Sequence, residues 1–235
     1  MFTNIKDSPN PAHYHCEFCS EFSGETDNTF HALYRGTMPH RHLLVTDNFR
    51  IFPSIGQIVE GYLLIAPVHH YCTLDELPTE LVGELAAICE RARSIVSQNY
   101  GPCISFEHGA RGPVNGGCGI YHAHLHIVPL CGTPDPVAAL KEHFPYKKLD
   151  ALRDIAEVPS RNLPYLFFED LDSNRYLFSV GNLESQYMRR VLAQAMGTSD
   201  WNWRNAGIEE RLLTTIHRLS GQFDNTQKFS YARNL

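Results

Sequence analysis

The chain has 235 residues, 43% hydrophobic and 20% charged, with a formal net charge of −6 at neutral pH. That suits one large packed domain, or one domain with a substantial extension. The acidic balance excludes the broad basic field that grips a nucleic-acid backbone. No apolar run reaches the roughly 18 residues that span a bilayer, and the first eleven residues lack the apolar core of a secretory signal. A cytoplasmic protein with neither nucleic acid nor membrane as partner is therefore expected.

The first 30 residues are polar and turn-rich around Cys16-Glu17-Phe18-Cys19. This Cys-x-x-Cys has the spacing of half a zinc site. The chain's seven cysteines are an odd number and argue against a disulfide framework. His42–Thr46 and Phe49–Phe52 read as strands around an Asp47-Asn48 turn. Gly61–Ala66 reads as a buried strand that Pro67 ends. Leu81, Leu85, Ile88, Ala92 and Ile95 recur at helical spacing, so a helix is expected from Pro78 to Gln98, capped by Thr79 or Asp75.

Cys103–Glu107 is a further strand, and the glycine-rich run from Gly109 to Gly119 is a loop. Tyr121–Val128 alternates as a strand. Beyond residue 130, a short helix is expected within Thr133–His143. Strands follow at Tyr165–Phe168 and Tyr176–Val180, and helices at Glu184–Met196 and Ile208–Leu219. Arg189-Arg190 reads as a solvated face in preference to a phosphate contact.

The chemistry concentrates in His122-Ala123-His124-Leu125-His126. On a strand, alternation sets the three imidazoles on one side, roughly 6.5–7 Å apart, with Ala123, Leu125 and Ile127 facing a core. Three polar rings are poor core filler, because each brings nitrogens that need partners. Metal ligation and nucleophilic acid–base catalysis both remain open on these residues. The glycine-rich loop just upstream favours phosphate chemistry, since glycine lets backbone amides approach an anion.

This pattern resembles the histidine triad (HIT) superfamily. The resemblance also takes in Cys16-x-x-Cys19, the Gly-Tyr-Leu-Leu-Ile-Ala-Pro-Val-His-His segment ending at His70, the following helix and the strand–loop–strand, so it covers roughly Cys16 to Pro129. It implies an α+β, HIT-like fold with an antiparallel sheet of about five strands and helices packed on one face. Residues 1–135 would form the catalytic domain with an N-terminal zinc-binding arm. Residues 136–235 would form a C-terminal α/β extension packed on it or continuous with it.

The resemblance assigns His124 as the nucleophile, forming a covalent nucleotidyl-histidine that water hydrolyses, and His126 as the group contacting the phosphate or leaving group. Gly117, Cys118 and Gly119 would present backbone amides to the non-bridging oxygens. Cys16, Cys19, His70 and His122 would hold a structural zinc, with His70 preferred over His69, His13 and His15. The chain also departs from the family pattern. Gly119 stands where relatives place a serine, and no carboxylate occupies Phe52-Pro53-Ser54, so Ser54 or Gln57 is assigned to the substrate. Glu107 and His108 replace an Asn-containing segment and are read as specificity residues or as support behind them. His126, where transferase relatives often carry glutamine, tilts the expectation to a nucleotide hydrolase or phosphoramidase acting on a phosphoanhydride, phosphoester or P–N bond. A nucleotidyltransferase or dinucleoside polyphosphate phosphorylase is the first alternative, and a non-catalytic nucleotide-binding protein the second. The expected partner is a small nucleotide or other phosphorylated molecule. A homodimer is allowed by the resemblance alone.

Overall fold

The structure is a computed structural model that describes residues 15–110, 119–157, 163–207 and 209–223. Two short helices, α1 (Glu17–Ser23) and α2 (Thr29–Tyr34), open it where only turns were expected. Asn28 starts α2, its side chain accepting from the His31 N–H at 2.8 Å. The chain then builds β1 (Leu44–Val45), β2 (Phe49–Pro53) and β3 (Leu63–Pro67), followed by the long helix α3 (Thr79–Tyr100). Neither expected cap holds at its start. Pro78 occupies the cap position with no side-chain hydrogen bond, and Asp75 instead accepts from the Thr73 hydroxyl at 2.5 Å.

β4 (Cys103–Gly109) and β5 (Leu125–Pro129) come next, then α4 (Val137–His143) and β6 (Tyr146–Leu149). The hairpin of β7 (Tyr165–Glu169) and β8 (Arg175–Ser179) leads to α5 (Tyr187–Ala195) and α6 (Glu210–Leu219). The fold is α+β and its sheet is antiparallel at every pairing, as expected. The sheet has eight strands rather than about five, in the order β1-β2-β3-β5-β4-β7-β8-β6. The additional strands come from beyond residue 135. β7 pairs along β4 from Ser105↔Glu169 to Gly109↔Tyr165 and continues the sheet across the boundary drawn from the resemblance.

A second difference follows from the first. Consecutive residues of the central strands are apolar, so both sheet faces must be covered. Ile51, Leu63, Ile65, Leu125, Ile127 and Phe167 pack on one face against α3. Phe52, Leu64, Ile104, Phe106, Leu166 and Phe168 pack on the other with Phe18 of α1, Leu140 of α4 and Met188 and Leu192 of α5. Helices therefore lie on both faces, not on one. Among the described residues no helix is long and apolar enough to cross a membrane.

The histidine strand is shorter than expected. It begins at Leu125, not Tyr121, because β3 and β5 align Ile65 with Leu125. Continuing that register would set Ala123 opposite Pro67, which has no N–H to offer. The Ala123 N–H bonds instead to the Tyr71 carbonyl at 2.7 Å. His122 and His124 thus sit on a lead-in segment, and only His126 lies within the ladder.

Candidate catalytic pocket and metal cluster

The end of β3 and the lead-in to β5 are neighbours, so His70 and His122 emerge together at one end of the sheet. Cys16 and Cys19, one helical turn apart at the start of α1, meet them there. Cys16 Sγ lies 3.4 Å from His122 Nδ1, and Cys19 Sγ lies 3.3 Å from His70 Nδ1 and 3.6 Å from His122 Nδ1. All four ligand atoms fall within 4.8 Å of one another. Tetrahedral zinc with its usual bond lengths separates S and N ligands by about 3.5 Å, so the donor set and its spacing fit that ion. Cys16 is held far below the ordinary thiol range, chiefly by its hydrogen bond with Cys19 and then by His122 and His70. The four residues brought together are those expected. His69 is outside the cluster, His15 lies near Asp27 instead, and His13 falls outside the described residues.

Two residues on from His122, His124 turns into a pocket between the sheet and α1. Phe18 holds the arrangement edge-on, its ring centroid 5.6 Å from that of His122 and 5.4 Å from that of His124. His124 Nδ1 is 2.6 Å from the His122 carbonyl. A carbonyl only accepts, so Nδ1 carries the proton and Nε2 is left with a free lone pair. Burial pushes the His124 pKa down to about 4, outweighing the hydrogen bond to His122, with the charges of His122 and Arg189 adding to the drop. The ring is therefore neutral at pH 7.

His126 stacks on Phe106 at 4.3 Å, lies 4.7 Å from the His124 ring and meets the Tyr62 hydroxyl through Nδ1 at 2.7 Å. Burial, then its neighbours His124 and His108, pushes its pKa well down. His108 joins the same pocket, its Nε2 accepting from the Met188 N–H of α5 at 3.3 Å. Burial lowers it to about 3. Three neutral imidazoles thus line one cavity.

Ser54 also lines this pocket, its hydroxyl donating to the Ile55 carbonyl at 3.0 Å. Gly119 is at its rim, and a Cβ there would stand 2.7 Å from the Trp203 indole nitrogen. That close approach by the C-terminal region gives this chain a packing reason for glycine at this position. Gly117 and Cys118 lie outside the described residues. Gln57 is buried beside the pocket, bonded to the Tyr62 carbonyl and Thr215.

Glu107, expected at the substrate, is on the opposite face. Adjacent strand residues alternate, so His108 faces the pocket while Glu107 accepts from the Leu74 N–H and the Tyr165 hydroxyl, each at 2.7 Å, beneath the loop before α3. Burial raises its pKa to about 8.

Two pocket residues escaped the sequence reading. Arg41, buried between Phe52 and Phe30, pairs with Glu21 at 2.7 Å. Arg189 was assigned to a solvated face, yet it is buried and lines the pocket. Only Arg190 faces out, over the Trp201 ring at 3.5 Å. The period of α5 carried the signal. Residue 189 shares a stripe with Leu192 and Ala193, both buried.

No family model matches the chain. Its curated relatives include CWF19-like protein 1 of Homo sapiens, 23% identical over 194 residues. The Xenopus laevis protein of the same name is 25% identical over 201 residues. These alignments take in 76% of this chain but only 34% and 35% of the relatives, so the chain spans about a third of the length of the proteins it matches. Among solved structures it is similar to a Zn-bound histidine triad family protein from Mycobacterium smegmatis, at 22% identity and a TM-score of 0.38, over 48% of this chain and 73% of that one. It is likewise similar to a member of the HIT family of proteins from Bacillus subtilis, at 18% identity and a TM-score of 0.38, over 49% and 73% of the two chains.

Proposed function

We propose that the chain is a hydrolase of the histidine-triad kind, cleaving a phosphoanhydride, phosphoester or P–N bond of a nucleotide through a covalent intermediate on His124. The observation that carries this reading is the bond from His124 Nδ1 to the His122 carbonyl at 2.6 Å. It fixes the tautomer and leaves Nε2 unprotonated in a pocket where burial keeps the ring neutral.

In the first step the Nε2 lone pair forms a bond to phosphorus as the bond to the leaving group breaks. His126, next to His124, passes its Nε2 proton to the departing atom as the Tyr62 hydroxyl delivers its own to Nδ1, so the ring stays neutral throughout. In the second step water attacks the phosphorus, the P–N bond to His124 breaks and the lone pair returns to Nε2. The water's proton goes to His126 Nε2 as Nδ1 returns its own to the Tyr62 oxygen, which restores the starting state.

Cys16, Cys19, His70 and His122 hold a zinc ion in this reading. With four protein ligands it supplies a cross-link rather than an open coordination site. It fastens α1, and with it Phe18, to the segment that aims His124.

The test is His124→Asn, scored by turnover of nucleoside polyphosphates and phosphoramidates and by intact mass after mixing. The wild type is expected to gain the mass of the transferred group on His124. The variant should lose both the adduct and at least about a thousandfold in turnover, as removal of a covalent nucleophile does. Unchanged turnover in the variant refutes the proposal.

A further inference from the structure

The chemistry proposed above leaves a buried cation without a task. Arg41 and Arg189 are each 3% exposed. Arg41 is neutralised by Glu21 at 2.7 Å. Arg189 meets no carboxylate within 4.0 Å among the described residues. Its Nε donates to the Trp201 carbonyl at 2.7 Å, one terminal nitrogen to the Ser54 hydroxyl at 3.3 Å and the other to the Gly56 carbonyl. The Tyr62 ring lies 5.3 Å from its centre. Glu209 feels the charge from farther off, its carboxylate accepting from the Gly56 and Gln57 N–H groups.

Neutral oxygens orient a guanidinium but do not balance its charge, and burying an unbalanced charge is costly. A guanidinium has five N–H donors. Among the described residues three are used, one on each nitrogen, so each terminal nitrogen keeps one. One spare donor on each terminal nitrogen of a planar fork suits two oxygens of one phosphoryl group. Arg189 lines the same pocket as His124 and His126. It belongs to α5, whose first turn reaches the same wall through the Met188 N–H on His108, so the positive end of that helix faces the pocket too.

We propose that Arg189 is the substrate-anchoring residue of this pocket, binding two unsubstituted oxygens on phosphorus. The substrate class follows. The reacting phosphorus carries at least two unsubstituted oxygens and a negative charge, as in phosphate monoesters, nucleotide anhydrides and phosphoramidate anions, and neutral phosphotriesters are excluded. The C-terminal region thereby completes the site with the counter-charge that the histidine segment lacks. This inference rests on the pocket receiving a phosphoryl group, but not on His124 being the nucleophile.

The test is binding of inorganic phosphate to the full chain by calorimetry, with chloride at matched ionic strength as control. The wild type should bind phosphate and gain melting temperature from it, while Arg189→Met should weaken binding by a factor on the order of 100, since two charge-assisted hydrogen bonds are lost. Arg189→Lys keeps the charge without the fork and should lose about tenfold. Arg190→Met, on the outer face of α5, should bind as the wild type does. Wild-type protein that ignores phosphate overturns the proposal, as does phosphate affinity unchanged in Arg189→Met. If the methionine variant does not fold, unchanged affinity in Arg189→Lys overturns it instead. His124→Asn separates the two readings. Full phosphate binding without turnover supports both. Retained turnover in that variant, with phosphate binding still lost in Arg189→Met, removes the nucleophile and keeps the anchor.

Discussion

Replacing Glu107 with glutamine tests the face assignment of β4 through the pH dependence of stability. The carboxyl is 1% exposed and accepts from the Leu74 N–H and the Tyr165 hydroxyl. Among the described residues no cation pairs with it. Burial raises its pKa from 4.5 to about 8, so over that interval the folded chain holds a proton that the unfolded chain has released. Stability then falls as pH rises. The contribution is fully present below the unfolded value and is gone once the pH has passed through about 8.

At about 1.4 kcal/mol per pH unit, the whole interval caps the effect at about 5 kcal/mol, of which about 3 kcal/mol falls between pH 6 and 9. Glutamine keeps an oxygen for Leu74 and an amide for the Tyr165 oxygen but cannot ionise. Urea unfolding at pH 6, 7, 8 and 9 should show the wild type losing about 3 kcal/mol relative to Glu107→Gln. Titrations shared by both proteins cancel in that difference. Parallel stability curves would refute the argument, and a variant whose turnover collapses while its stability holds would return Glu107 to the substrate.

Two further outcomes are expected. Purified protein should carry about one zinc per chain, and Cys19→Ser or strong chelation should remove it and lower Tm by on the order of 10 °C, given several kcal/mol of lost cross-linking; metal analysis with calorimetry checks both, and a metal-free wild type of equal Tm would discard the cluster's role. Gly109→Ala should cost at least about 1–3 kcal/mol, because a Cβ there falls inside the Tyr165 ring that covers this residue across the β4–β7 pair; an unchanged urea midpoint would contradict that packing.

The legible parts of the site were those written in short-range order. The Cys-x-x-Cys spacing, the alternation of His122, His124 and His126 with Ala123, Leu125 and Ile127, and the period of α3 each depend on neighbours a few residues away. Ala123, Leu125 and Ile127 do face the α3 side while the imidazoles face α1. The set Cys16, Cys19, His70 and His122 was reachable through the resemblance, and the folded chain brings those four atoms together. Even the late start of the histidine strand was encoded locally, in Pro67, but reading it required the register whose continuation would set Pro67 opposite Ala123.

What tertiary structure alone decided is which distant segments pair and which face each residue then meets. Five-strand and eight-strand sheets share the same apolar β4; only the arrival of β7 at its edge distinguishes them. Glu107 and His108 are adjacent in the chain and equally polar, yet alternation sends one beneath Leu74 and the other to the imidazoles. Arg189 reads as a surface charge until α5 packs it against Ser54 and Gly56, more than 130 positions earlier. Periodicity is a nearest-neighbour property and the sequence by itself determined it. Partner choice between remote segments is a comparison of whole packings, and it was settled only when the chain closed on itself.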